Sequence, residues 1–215
     1  MRGNGVLLQR STRTSSSILQ VPFSGCGAGA KLGVSCDFQP CFRRILQMGV
    51  HTAEVFINVG MCCFFSQQTD LMWSAFENAF LLCNKEQLSV LYYNIGYIFL
   101  CSGEMECARR CFRLSLISTG NSSPDALAGL AHIAYFEKDL QKAITFFTVS
   151  VSSTGKEEAS LDTLYNLALC YGEAGDYGNA FKYAQMAAES TNSLGAVDKD
   201  VKDLLARLNV TINAL

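Results

Sequence analysis

Four phenylalanines recur along the chain at a nearly constant interval, and this regularity limits the possible folds more than any other feature. Phe42 precedes Phe76 by 34 residues, Phe112 follows 36 residues later, and Phe147 follows after another 35. A period of this length is typical of one helical hairpin per repeat, and a single hairpin cannot bury its apolar face without a neighbour. The chain is therefore predicted to be a stack of similar helical hairpins.

The stretch from Tyr92 to Leu116 shows the repeating unit most clearly. Its first half places apolar or small residues at i, i+3, i+4 and i+7, and its second half, after a turn at 102–104, again has helical spacing. The defining residues are Tyr92, Ile95, Gly96 and Phe99 in the first helix, and Ala108, Phe112 and Ser115 in the second. This pattern resembles the tetratricopeptide repeat. The resemblance implies an all-α fold, a right-handed superhelical array of helix-turn-helix repeats.

The same register predicts four repeats within residues 53–195. Their bounds are 53–84, 89–120, 124–155 and 161–192. Their first helices are expected at 53–66, 89–102, 124–137 and 161–174. The fourth repeat departs from the pattern because Ala184 stands where the others have phenylalanine. Residues 37–52 are predicted to hold the second helix of a preceding repeat, and residues 196–215 a capping helix with one apolar and one charged face.

Residues 1–36 differ from the rest of the chain. They contain no Asp or Glu and four basic residues, which gives this segment a formal charge of +4. One interpretation is a disordered or non-native N-terminus, because the segment has a loop-like composition without a sustained period. The other is an organelle transit peptide, since the segment is rich in Arg and Ser and free of acids. The first interpretation is favoured.

Charge and composition argue against several kinds of site. The chain beyond residue 36 has a formal charge of −6 (−2 minus +4), which disfavours a nucleic-acid groove. The ten cysteines include no CxxC pair and the chain has two histidines, so the ligand spacing of a zinc site is missing. Neither a metal nor another cofactor is predicted.

One pair of cysteines raises the question of an enzyme. Cys107 and Cys111 lie one helical turn apart beside Arg109 and Arg110, and nearby positive charge can activate a thiol. Cys111, however, adjoins the predicted core residue Phe112, where cysteine commonly acts as a small apolar residue. A structural thiol is favoured, and no catalytic residue is predicted.

The first helices of the repeats are expected to line a concave groove for a protein partner. Their predicted spans contain no Lys or Arg and instead offer aromatic and asparagine side chains, a combination suited to an uncharged helix or loop. The candidate groove residues are Asn58, Phe64, Tyr93, Asn94, Tyr97, His132, Tyr135, Tyr165 and Asn166. The alternative for each tyrosine is that it closes the inside of the superhelix, and for His132 that it is a core residue.

Several segments carry a more specific resemblance than the repeat pattern. They are RILQMGV at 44–50, NVGMCCFFSQQ at 58–68, SAFENA at 74–79, YNIG at 93–96 and RCFRLSL at 110–116. Over residues 42–116 the chain resembles the C-terminal part of the family of the eighth Bardet–Biedl syndrome protein, a tetratricopeptide-repeat subunit of the BBSome. From residue 121 onward the third and fourth repeats keep the register but little of the distinctive sequence.

This resemblance implies a non-catalytic scaffold in a ciliary membrane-trafficking coat that contributes to cilium assembly and to transport of ciliary membrane proteins. The implied partners are other BBSome repeat and β-propeller subunits and, indirectly, an Arf-like GTPase and ciliary membrane cargo, with membrane association only through the complex and no nucleic acid. The implied locations are the cytoplasm, the cilium and the ciliary basal body.

A second functional interpretation remains open. The chain could be a stand-alone tetratricopeptide adaptor or co-chaperone that binds an uncharged peptide or helix. Tetratricopeptide domains that clamp an acidic chaperone tail use basic side chains in their first helices, as phosphate readers do. The first-helix spans predicted here contain none. A scaffold is therefore favoured.

Overall fold

Every regular element in the described part of the chain is helical in this computed structural model, which describes residues 44–120, 123–154, 159–192 and 199–214. The described residues fall into two compact units, 44–120 and 123–214. We describe each unit separately. The segment 1–36, and residues 37–43 of the predicted preceding repeat, lie outside the described residues.

The first unit contains two helical hairpins. Its helices are α1 (Ala53–Phe65), α2 (Thr69–Leu82), α3 (Lys85–Cys101) and α4 (Met105–Ser118). Within the unit α1 packs against α2 and α3 against α4, while α3 also contacts α1 and α2. A short helical turn at 44–47 precedes α1.

The second unit contains two hairpins and a terminal helix. Its helices are α5 (Pro124–Phe136), α6 (Leu140–Thr154), α7 (Leu161–Glu173), α8 (Tyr177–Asn192) and α9 (Lys199–Ala214). The hairpins are α5 with α6 and α7 with α8, and α9 packs against α8. Val201, Leu204 and Leu208 bury one face of α9, whereas Lys202 and Asp203 are exposed on the other. This helix covers the apolar side of the last hairpin and presents charge to solvent.

Side-chain caps set the start of each first helix of a hairpin. The capping residues are Thr52, Asn84, Ser123 and Ser160. Asn84 forms a reciprocal capping box, in which the Gln87 N–H donates to Asn84 Oδ1 (2.8 Å) and the Asn84 N–H donates to Gln87 Oε1 (3.1 Å). Because of this box, α3 begins at Lys85, about one turn before the predicted start at 89. The prediction that no first helix carries a basic residue is therefore wrong for α3.

The turn within each hairpin repeats one backbone feature. The left-handed residues are Gln67 (φ 58°), Gly103 (φ 81°), Lys138 (φ 65°) and Gly175 (φ 83°). Glycine adopts this conformation without strain, whereas a residue with a Cβ costs roughly 1–2 kcal/mol there. The four turns therefore share one geometry even where the residue type does not favour it.

The aromatic residues predicted for the core of the second helices are confirmed as buried. Phe76, Phe112 and Phe147 are at most 3% exposed, and Ala184, the exception in the pattern, is fully buried as well. Phe42 lies outside the described residues. Burying a phenylalanine side chain contributes about 1.5–3 kcal/mol, so these positions help to hold the two helices of each hairpin together.

Glycine and phenylalanine fit together in the first unit. A Cβ added to Gly60 would lie 2.5 Å from Phe76 Cε1, and one added to Gly96 would lie 2.9 Å from Phe112 Cε1. Both distances are below any ordinary carbon–carbon contact. The absence of a side chain at these two positions therefore allows the ring of the second helix to lie directly on the backbone of the first.

Candidate partner-binding surface

The nine candidate groove residues are mostly covered. Phe64 is half-buried, and the other eight are each less than 9% exposed. In the first unit they are Asn58, Phe64, Tyr93, Asn94 and Tyr97, and in the second they are His132, Tyr135, Tyr165 and Asn166. Their role in partner binding stays a prediction, and their contacts show what each does within its own unit.

A ring contact links two of the candidate residues in the first unit. The Phe64 and Tyr97 rings meet edge to face with centroids 6.3 Å apart, which joins α1 to α3. Tyr93 instead packs against Phe112, with centroids 5.8 Å apart. Tyr93 therefore belongs to the repeat core, while Phe64 lies at the partly open edge of the candidate surface.

Three asparagines occupy the same position in their first helices. Asn58, Asn94 and Asn166 each lie two residues before the small residue of the repeat and are at most 5% exposed. The side-chain amides of Asn94 and Asn166 form no hydrogen bond to any described residue. Burying an amide without a partner is costly, so these positions are not explained by packing within the described residues alone.

His132 is a core residue in the second unit. It is fully buried and its ring meets Phe147 edge to face at 5.2 Å. Burial lowers the pKa of His132 to about 3, because a charged imidazole would be deprived of water. The ring is neutral at pH 7 and is not placed to act as a base for a ligand.

Tyr135 makes a polar contact that the sequence pattern did not indicate. Its hydroxyl donates to Glu173 Oε1 at 2.5 Å, which joins the end of α5 to the end of α7. Burial, with the Glu173 carboxylate, raises the pKa of Tyr135, so it remains protonated as a donor. The Lys138 ammonium lies 5.4 Å from the ring centroid. The sequence did offer one signal for Glu173, because it is an acidic residue at the end of α7, a first helix that contains no Lys or Arg.

The first helix of each hairpin, namely α1, α3, α5 or α7, is acidic at its start. Each has one carboxylate in its first turn: Glu54, Glu86, Asp125 and Asp162. This placement favours the helix because the N-terminus carries partial positive charge. Burial raises the pKa of Asp125. With Lys85 as the exception, the charged residues within these four helices are acidic.

Burial is the main cause of the raised pKa of several described cysteines. Burial raises the pKa of Cys111, and the nearby Cys107 raises it further, which is opposite to the shift of an activated thiolate. The pKa of Cys170 is raised to about 12, also chiefly by burial. Among the described residues no group of His, Cys, Asp and Glu is placed to hold a metal ion, and no helix is long and apolar enough to cross a membrane.

Comparisons with known proteins find likenesses to tetratricopeptide-repeat proteins. A family model described as tetratricopeptide repeat matches residues 161–192. A protein of Caenorhabditis elegans named tetratricopeptide repeat protein 8 is 33% identical over 107 residues, which is 50% of this chain and 21% of the relative. The chain thus spans about a fifth of the length of that relative.

Solved structures show the fold. Yeast Tom70 has a TM-score of 0.68 at 15% identity, over 86% of this chain and 38% of its own. Cut9 in its APC/C complex with Hcn1 reaches 0.66 at 18% identity, over 80% and 33%. BtubC from P. vanneervenii also reaches 0.66, at 14% identity, over 81% and 80%. The predicted fold class, an all-α array of tetratricopeptide-type hairpins, is confirmed.

Proposed function

We propose that this chain is a non-catalytic protein–protein interaction scaffold and a subunit of a BBSome-type ciliary coat. The observation that carries the proposal is a likeness in sequence. The segments over 42–116 resemble the family of the eighth Bardet–Biedl syndrome protein, and half of the chain is 33% identical to tetratricopeptide repeat protein 8 of C. elegans. In this role the chain contributes to cilium assembly and to transport of ciliary membrane proteins.

The proposed partners are repeat and β-propeller subunits of the coat. An Arf-like GTPase and ciliary membrane cargo would be reached indirectly, through the assembled complex. The proposed locations are the cytoplasm, the cilium and the ciliary basal body. Helical hairpins support such a role because their exposed helix faces offer surfaces to neighbouring subunits.

The chemistry of the described residues supports a scaffold over an enzyme. Cys111, the thiol nearest to two arginines in sequence, has a raised pKa. His132, which could serve as a base if exposed, is neutral and fully buried. The alternative of a stand-alone adaptor for an uncharged peptide is less favoured, because eight of the nine candidate groove residues are already buried.

Affinity purification from ciliated cells tests the proposal. The tagged chain, cross-linked in cells and analysed by quantitative mass spectrometry, should enrich coat subunits relative to a Phe112→Ala chain, which has lost a core ring. Recovery of Hsp90-type chaperones without coat subunits would favour the adaptor. Imaging the chain with and without residues 1–36 tests the proposed location. Organelle import that is lost when residues 1–36 are deleted would indicate a transit peptide.

A further inference from the structure

One side of α7 in the second unit carries a row of polar and acidic side chains. Asp162, Asn166 and Glu173 follow one another along this helix at intervals of about one and two turns. They lie roughly 120–160° around the helix from Ala168, and Ala168 shares a buried cluster with Ala184 of α8. The row is therefore turned away from the second helix of its own hairpin.

A second acidic side chain occupies the same register position on α5. Asp125 precedes the small residue of its repeat by as many residues as Asp162 does. The Tyr135 hydroxyl donates to Glu173 Oε1, so the end of α5 contacts α7 on the side that carries the acidic row. We call Asp125, Tyr135, Asp162, Asn166 and Glu173 the acidic surface.

Polar groups of the acidic surface are withdrawn from water. Asp162 is 4% exposed and Asn166 is 1% exposed. Neither polar atom of the Asn166 amide forms a hydrogen bond to a described residue, and burying such an amide is costly. Burial also raises the pKa of the Asp125 carboxyl, because its charged form is deprived of water. A peptide segment with cationic side chains would suit these carboxylates, and its backbone could pair with the amide.

Neighbouring charges in the second unit leave this surface negative. The helices α5 and α7 contain no Lys or Arg. In the turn after α5, Glu137 and Lys138 have opposite charges, and the Asp139 carboxylate pairs with Lys142 Nζ at 2.6 Å. The other described cations of this unit lie on α8 and α9, and these helices pack on the Ala168 side of α7.

The first helices of the first unit have a different charge pattern. Glu54 of α1 stands at the register position of Asp125, but α3 has Val90 there. Lys85 and Glu86 at the start of α3 carry opposite charges. Among the four described first helices, those of the second unit are therefore the ones that carry carboxylates without a cation.

We propose that residues 1–36 of the same chain dock on the acidic surface. This segment has four cations and no carboxylate, so its charge of +4 complements the three carboxylates of the surface. Arg13 and Arg44 are 31 residues apart, a length that reaches roughly 100 Å when extended, which is several times the radius of a compact domain. The tether also keeps the local concentration of the segment high. The proposal does not depend on the coat function, and neither a disordered terminus nor a transit peptide requires it.

Limited trypsin digestion of the full chain tests the proposal. Trypsin cuts after Arg10, Arg13 and Lys31, and the rate of these cuts reports the fraction of chains in which the segment is undocked. Asp162→Asn combined with Glu173→Gln removes two carboxylates of the acidic surface and should speed the cuts about tenfold or more. High salt should speed them in the wild type as well, because it screens the attraction.

The matched control removes two exposed carboxylates elsewhere in the second unit, by Glu189→Gln combined with Asp203→Asn. It changes the net charge equally and should be cut at the wild-type rate. Glu173→Gln alone keeps an acceptor for Tyr135 and should give a smaller acceleration, which serves if circular dichroism shows that the double variant does not fold. Equal rates in the wild type and the acidic-surface variants, or an equal acceleration in the control, would overturn the proposal.

Cross-linking shows which chain supplies the docked segment. A carbodiimide joins the Lys31 amine only to a carboxylate that is in contact with it. In an equal mixture of unlabelled and isotope-labelled chains, cross-links from Lys31 to Asp125, Asp162 or Glu173 should join peptides that carry the same label. Mixed labels would place the segment of a second copy on the surface, and an absence of these cross-links would mean that the segment does not dock there. Either result would overturn the proposal.

Discussion

The two units build the same hairpin from different residue sizes. In the first unit a phenylalanine lies on a glycine, as Phe76 does on Gly60. In the last hairpin the corresponding residues are Ala184 and Ala168, and both are fully buried. Ala184 belongs to a cluster of buried residues that includes Val201, Leu204 and Leu208 of α9, so the terminal helix contributes to the same apolar core. The repeat register therefore keeps this position buried and does not require a particular residue.

The units also differ in how they treat polar groups. At one matched pair of positions the first unit has Phe64 and Cys101, whereas the second has Tyr135 and Glu173, joined by a hydrogen bond. At the position of His132 the first unit has Met61 and Tyr97. At these positions the second unit has a hydrogen bond between two side chains and a buried histidine. The variants below test whether these groups affect the free energy of unfolding.

The largest effect is expected from Phe112→Ala in the first unit. Its ring is fully buried against Gly96, and truncating a buried phenylalanine costs about 3–5 kcal/mol because a cavity remains. Urea unfolding followed by circular dichroism measures the loss. Phe136→Ala is the control, because that ring is half-exposed and its truncation should change the free energy of unfolding far less. Equal losses in both variants would mean that the repeat register does not determine the core.

The repeat period predicted the hairpins because each repeat carries the same local signals. Cap residues, apolar spacing and the small residue facing phenylalanine all lie within about 30 residues of one another. The first turn of α3 was missed although its capping box, Asn84 followed three residues later by Gln87, is a local signal that the sequence contains. Glu173 was missed because its contact with Tyr135 spans 38 residues. The burial of the candidate tyrosines depends on neighbouring helices, which the period alone does not describe.

His132 should make the second unit sensitive to mild acid. Burial holds its pKa at about 3 in the folded protein, whereas an unfolded histidine titrates near 6.5. Between these values the unfolded state binds more protons, so stability falls as the pH falls, by about 2 kcal/mol from pH 7 to pH 5. His132→Leu introduces leucine, which is the residue at the equivalent position 169 of α7. When unfolding is measured at pH 7 and at pH 5, this variant should not show the loss of stability that His132 causes.

Asp125 provides the internal check on that prediction. Burial raises the pKa of its carboxyl, so its contribution has the opposite sign and favours the folded state as the pH falls. The wild type and His132→Leu both retain Asp125, so the difference between their pH dependences of stability reports on His132 alone. An identical pH dependence in the wild type and in His132→Leu would show that the buried ring does not control acid stability.

Gly60→Ala should destabilise the first unit by a smaller amount. The added methyl would lie 2.5 Å from the Phe76 ring, and overpacking costs about 1–3 kcal/mol, offset by up to ~1 kcal/mol from the better helix propensity of alanine. Gly172→Ala in α7 is the matched control, because its nearest neighbours would be 3.9 Å away. That variant should be neutral or slightly more stable. A neutral Gly60→Ala would mean that the ring can move aside and that the glycine is not needed for packing.

The smallest effect is expected from Tyr135→Phe, which gives the second unit the apolar character of Phe64 in the first. The variant keeps the ring and its contact with Lys138 but removes the donor to Glu173. Because Glu173 is exposed and regains water, the loss should be about 0.5–1.5 kcal/mol. Tyr171→Phe is the control, since that hydroxyl makes no hydrogen bond within the described residues and its ring stacks on Tyr183. If both variants unfold at the same urea concentration, the contact orients the ends of α5 and α7 without stabilising them, and the two units differ in surface chemistry and not in strength.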